Sequence, residues 1–229
     1  MANHLSEEEQ IEAFKQWWVD NGLKLVAAAV IAIGGTLSWQ GWQGSQQEHA
    51  EQGSAIYSAM IDIVKTESDE PLSDEQQQQI SASADQLKQQ FGDSGYAHLS
   101  ALLNAKLAVD ADNLDQAAIE LEWVLNNDPA DDLKLLAILR LARVEAAKGN
   151  TDKALAMLEE QDAGTMTSAY EEAKGDFHIS LGHYEAAYTS YQTAIDNEET
   201  GNTRQLSILR LKMSQAKPVS ETVEPQGDS

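Results

Sequence analysis

The chain of 229 residues has no cysteine and a formal charge of −23 at pH 7. Lack of cysteine excludes a disulfide framework, a thiolate metal site and a cysteine nucleophile in whatever compartment the protein occupies. Beyond Trp42 there are 13 Lys and Arg against 33 Asp and Glu. That balance repels nucleic acid and anionic headgroups; most of these carboxylates are expected to form a solvated face, with attraction to basic or unfolded polypeptide as the sharper alternative.

Residues 1–22 open with Ser6-Glu7-Glu8-Glu9, a capping-box spacing, and place Ile11, Phe14, Trp17 and Trp18 on one helical face before Asn21-Gly22. They predict a short amphipathic helix on a headgroup layer, or one that meets a partner. From Leu25 to Trp42 eighteen residues pass without a charge. At about 1.5 Å per residue they extend about 27 Å, close to the roughly 30 Å of a hydrocarbon core. Trp17 and Trp18 before the run, and Trp39 and Trp42 at its end, sit where interfacial indoles belong. Bulky WQGWQ follows instead of a small-residue cleavage site, and an acidic stretch precedes it, so residues 23–42 read as a retained transmembrane helix and not a signal peptide. Lys15 and Lys24 lie on the N-terminal side, whereas Gln43 to Val64 holds no Lys or Arg. The positive-inside bias then puts the N-terminus in the cytoplasm and residues 43–216 in a bacterial periplasm.

Beyond the span the apolar periodicity predicts helices at about 45–66, broken at Pro71, and at 74–91. From Tyr96 the chain falls into helix pairs: 96–111 with 114–126, 132–148 with 151–160, and 167–181 with 184–197. Breaks fall at Asp112-Asn113, Asn127-Asp128-Pro129, Gly149-Asn150, Gly164, Gly182-His183 and Gly201-Asn202. A last helix at about 203–215 caps the stack, and residues 217–229, with two prolines and almost no apolar content, are expected to be disordered.

Ala117, Ala154 and Ala187 recur at spacings of 37 and 33 residues, close to the roughly 34-residue tetratricopeptide period. The same register aligns small Ala105, Ala142 and Gly175 where paired helices cross, and Leu121, Leu158 and Tyr191 between neighbours. The repeats lack the early Trp, and Met166 and Glu199 stand where the second and third should close with proline, as Pro129 closes the first. The fold class read from this pattern is all-α, a single N-terminal transmembrane helix followed by a tetratricopeptide-like helical-hairpin solenoid.

The motifs EEEQIEAFKQWWVDNG before the anchor, GYAHLSALLNAKLAVDA, IELEWVLNN, LAILRLARVEAAKGNTDKALAMLEE, YEEAKGDFHISLGHYEAAYTSYQTAI and LRLKMSQA occur in that order. Together they resemble the YfgM-like family, the single-anchor ancillary subunits of the bacterial SecYEG translocon. The resemblance implies an inner-membrane scaffold, not an enzyme, that works beside the translocon and a membrane-anchored, prolyl-isomerase-like periplasmic chaperone, receiving secreted polypeptides. It also raises a regulatory role for the cytoplasmic segment. The repeats alone equally allow an anchored scaffold of cytochrome maturation or cell-wall assembly.

No HExxH, GxGxxG, Walker or GxSxG motif is present, and no cofactor, metal or catalytic residue is expected. His178 and His183, five apart across Gly182, are not expected to share a helical face and are given solvent-facing or capping roles. Repeat register instead points to a partner groove lined by Leu99, Leu102, Lys106 and Val109, then by Leu136, Leu139, Arg143 and Ala146, with Glu172, Asp176 and Ile179 farther along. Its apolar floor suits an extended or helical peptide, and Lys106 and Arg143 suit carboxylates. The alternative makes the leucines core, or covers them with the helix at 45–66. In the membrane, Ala28, Ala32 and Gly35 form a small-residue strip that another helix can approach closely.

Overall fold

The computed structural model describes residues 7–66, 72–198 and 203–217. Its helices are α1 (Glu7–Thr66), α2 (Asp74–Gln90), α3 (Gly95–Asp110), α4 (Leu114–Asn126), α5 (Asp131–Ala147), α6 (Thr151–Glu159), α7 (Thr167–Ser180), α8 (Tyr184–Asp196) and α9 (Thr203–Gln215). A 3₁₀ turn at Gly164–Met166 precedes α7, and no strand occurs among the described residues. Ser6, Pro71, the break at Gly201-Asn202 and the tail 218–229 lie outside them. The chain divides into two units, residues 1–52 and 53–229.

In the first unit α1 passes straight through Asn21-Gly22, where the sequence reading ends a helix, and through Ser45, where it begins one. The cause at Asn21-Gly22 is local. Asn21 Nδ2 donates to the Trp17 carbonyl at 3.1 Å, and Gly22 lies beneath the Trp18 indole, which a Cβ would approach to 3.1 Å. Both residues thus fit the helix surface instead of ending it. The stretch Glu9–Leu37 is long and apolar enough to cross a membrane and overlaps the expected span. Protein covers almost none of it: Val30, Ile31, Ile33 and Leu37 are all exposed, Ile31 to 74%. Such a surface requires lipid or another apolar partner. Its polar Thr36 is satisfied within the helix, Oγ1 donating to the Ala32 and Ile33 carbonyls, as hydrocarbon demands.

The second unit begins at Gly53, which packs beside Phe91 and Tyr96, each 3.5 Å from where a Cβ would stand, an ordinary contact distance. Met60 is fully buried there with Ile80, Ala84, Leu87, Phe91 and Ala97. Helix α2 opens with a capping box that the sequence reading missed: Ser73 Oγ accepts from the Gln76 N–H, and the Ser73 N–H donates to Gln76 Oε1 at 2.8 Å.

The hairpins α3/α4, α5/α6 and α7/α8 repeat one packing solution. Ala117, Ala154 and Ala187 have no exposed surface, and Ala105, Ala142 and Gly175 are buried opposite them. Leu121, Leu158 and Tyr191 fill the spaces that these small residues leave. Each hairpin also turns in the same way. The residue after the helix cap, Asp112, Gly149 or Gly182, takes a positive φ of 57°, 90° or 75°. The N–H of the residue that follows bonds back five residues, Asn113 to Ala108, Asn150 to Glu145 and His183 to His178. That Schellman ending makes the same residue the N-cap of the next helix, so the turn and the second helix start are one structure.

Gly175 has no spare volume. A Cβ there would lie 2.5 Å from Tyr191 Cε1, and Tyr191 is held by its hydroxyl donating to Asp176 Oδ1 at 2.8 Å. Gly175→Val is therefore expected to lower stability by about 2–3 kcal/mol through overpacking. Gly95→Ala, where nothing lies within 4 Å, is expected to leave it unchanged within about 0.5 kcal/mol. Thermal melts followed by helical circular dichroism in detergent compare the two.

Candidate functional site

A cleft of about 360 Å³ opens between α3 and α5, floored by α4. Ala105, Lys106 and Val109 come from α3, Leu114 and Leu121 from α4, and Arg140, Arg143, Val144 and Ala147 from α5. Its floor is apolar and its rims are basic. Lys106 is spanned by an ion pair to Asp110 one turn on. Arg140 is half-buried and its Nη1 donates to the Leu102 carbonyl at 3.4 Å, a weak bond. Burial pulls the Arg140 pKa down, and the neighbouring positive charge of Arg143 pulls it further.

Of the residues expected in a groove, Lys106, Val109 and Arg143 line this cleft. Leu102 and Leu139 do not: at 2% and 3% exposure they belong to the core, Leu102 with Ala101 and Leu141, Leu139 with Tyr170 and Phe177. Leu99 and Leu136 are half-buried against the first of these clusters, and Ala146 against the second. Helix α5 has neighbours on both sides, so most of its leucines are used in packing. The helix at 45–66 contributes no residue to the lining; its Ile56, Tyr57 and Ile63 pack beside α2 and α3 instead. At the third repeat the expected groove is occupied by α9. Lys212 donates to Glu172 Oε1 and Asp176 Oδ2, both at 2.8 Å, and Gln205 Nε2 donates to Glu172 Oε2 at 2.8 Å. Arg140, which sequence reasoning missed, lies one turn before Arg143 on the same helix, and that spacing was the available signal.

The histidine reading holds for His183, which is exposed at the N-cap of α8, and is corrected for His178, which is half-buried. The Schellman turn at Gly182 folds His183 back over the end of α7, so the two imidazole centroids lie 5.8 Å apart at 48°. His178 Nδ1 is buried without a hydrogen-bond partner, and burial followed by the charge of His183 holds this imidazole below its ordinary pKa. Among the described residues no three His, Asp or Glu side chains gather closely enough to hold a metal ion. On α1, Ala28, Ala32 and Gly35 are all exposed, and a Cβ on Gly35 would meet nothing within 4 Å.

A second cavity of about 360 Å³, between α2, α3 and α4, is amide-rich, with Gln77, Gln78, Asn104, Asn113 and Gln116 around buried Glu120. Lys88 Nζ reaches both Glu120 oxygens at 3.0 Å, and Gln116 Nε2 donates to Oε1 at 3.0 Å.

The fold defines a tetratricopeptide-type protein with an apolar N-terminal helix, and a family profile described as a tetratricopeptide repeat-like domain matches residues 15–217. The similar curated proteins share one name. A protein of Haemophilus influenzae called ancillary SecYEG translocon subunit is 27% identical over 93% of this chain and 99% of its own. Its counterpart in Aggregatibacter actinomycetemcomitans is 30% identical over 86% and 92%, and that of Escherichia coli 24% over 85% and 90%. No solved structure matches the chain significantly. The chain belongs to this family of tetratricopeptide repeat-like proteins, whose relatives named here are the ancillary SecYEG translocon subunits.

The Lys88–Glu120 pair sets a testable pH dependence. Burial lowers the Lys88 pKa, but hydrogen bonds to Asp85 and Glu120 outweigh it, so the net shift is upward from 10.5. The stabilisation is present below 10.5 and lost as pH rises through the elevated folded value. Lys88→Met is expected to lower stability by about 2 kcal/mol at neutral pH, less than for a fully buried pair because Lys88 reaches solvent. It should flatten the alkaline decline, and adding Glu120→Gln should restore most of the loss. Urea titrations at pH 7 and 11 measure both effects.

Proposed function

We propose that this protein is a non-enzymatic, single-pass scaffold of the SecYEG translocon in the bacterial inner membrane. Residues 1–22 face the cytoplasm, 23–42 cross the membrane and 43–216 lie in the periplasm. The observation that carries the reading is family membership together with an apolar, uncovered α1 segment. The lysine asymmetry across that segment supports the orientation. Its work is tethering. Confinement to a shell near the membrane raises the effective concentration of the repeat domain at emerging chains, so weak contacts suffice to hold secreted polypeptides and pass them to a membrane-anchored, prolyl-isomerase-like chaperone. The cytoplasmic segment is a second docking point, for a regulator. In the membrane, Ala28, Ala32 and Gly35 present the face on which a translocon helix packs closely.

Affinity purification of the full chain in mild detergent is expected to recover translocon subunits, and Gly35→Leu to reduce that recovery several-fold. Purification without any translocon component contradicts the reading. Loss of recovery on deleting residues 2–16, with the anchor intact, would move the main docking site to the cytoplasmic segment.

A further inference from the structure

Six lysines of the second unit are matched by ion pairs. Lys88, Lys106, Lys148, Lys153, Lys174 and Lys212 each hold a carboxylate. At the cleft only Lys106 is paired: among the described residues neither Arg140 nor Arg143 has a carboxylate within ion-pair reach, although Asp and Glu outnumber Lys and Arg by 38 to 15. Two like charges one turn apart, one of them half-buried beside an apolar floor, oppose each other and lose hydration. An anionic ligand reverses both costs. A nucleic acid does not fit, because the surrounding domain is strongly acidic; a basic segment is repelled by the arginines themselves.

We infer that the cleft between α3 and α5 binds an extended polypeptide segment in which acidic and aliphatic residues alternate. Its carboxylates pair with Arg140 and Arg143, and its aliphatic side chains rest on Val109 and Leu114, above the buried Leu121 and Val144. The spacing agrees. Residues three apart on a helix have Cβ atoms about 5–6 Å from each other, and alternate side chains of a strand are about 6.6 Å apart. Planar guanidinium forks bind carboxylates bidentately and so absorb the difference. Lys106, facing the arginines from α3, adds positive potential across the opening, partly offset by Asp110. The inference rests on the repeat domain being a polypeptide-binding scaffold, but not on which side of the membrane it lies.

The test uses the full chain in detergent micelles and a fluorescein-labelled, C-terminally amidated peptide, Gly-Glu-Leu-Glu-Leu-Glu-Gly, followed by anisotropy. Binding is expected, with the Gln-for-Glu and the Ser-for-Leu peptides each weaker by about tenfold or more. Arg143→Gln is expected to weaken the acidic peptide about tenfold without shifting the melting temperature, since Arg143 is exposed. Arg210→Gln on α9 should change nothing. Arg140→Gln is expected to weaken the acidic peptide likewise; should that variant prove unstable, the Arg143 variant decides alone. The inference is overturned if the acidic peptide does not bind, if its Gln version binds equally, or if Arg143→Gln leaves affinity unchanged. It is also overturned if only a neutral peptide with a free C-terminal carboxylate binds, which would assign the cleft to chain ends. Recovery of translocon subunits alongside a failed peptide assay would leave the scaffold reading standing and remove this one.

Discussion

The architecture depends on the close crossing within each hairpin. Ala105 and Ala117, Ala142 and Ala154, and Gly175 and Ala187 remove side-chain volume where two helices meet, and larger Leu121, Leu158 and Tyr191 take the space beside them. Because each pair crosses alike and turns through the same Schellman ending, the next hairpin stacks in register and first helices become neighbours. The cleft between α3 and α5 follows from that adjacency. Its walls come from α3 and α5, with Ala105 serving both the crossing and the cleft.

An acidic chain holds this stack together by spending its few cations between elements. Lys88 of α2 joins Glu120 of α4, Lys148 follows α5 and joins Asp115 of α4, and Lys212 of α9 joins Glu172 and Asp176 of α7. Within the second hairpin, Glu145 is held below the ordinary carboxylate pKa first by Asn150 and then by Lys153, against the opposing effect of burial. The excess of Asp and Glu over Lys and Arg beyond Trp42 leaves the repeat region strongly anionic. The first unit obeys the opposite rule: its apolar surface is turned outward, and lipid or another apolar partner suits it.

Helix starts and ends in the second unit were legible almost to the residue, because breaks such as Gly149-Asn150 and Gly182-His183 carry their own backbone requirement. The repeat register was legible for the same reason: small residues at crossings leave a period. Faces were harder. Leu102 and Leu139 look like groove residues by spacing, yet a helix packed on two sides buries both, and periodicity cannot tell which neighbour a leucine meets. The closure of the third repeat by α9 depends on contacts 33 to 40 residues apart, such as Gln205 and Lys212 with Glu172, which no local pattern records. Likewise Gly22 reads as a stop signal until Trp18 is seen to cover it.

The central claim is that α1 anchors the chain with its repeats outside the cytoplasm. Since the chain has no cysteine, one introduced thiol reports alone. A membrane-impermeant maleimide added to intact cells with a permeabilised outer membrane should label Thr165→Cys, in the exposed turn before α7, and spare Ala13→Cys until the inner membrane is opened. Labelling of Ala13→Cys with protection of Thr165→Cys would contradict the account.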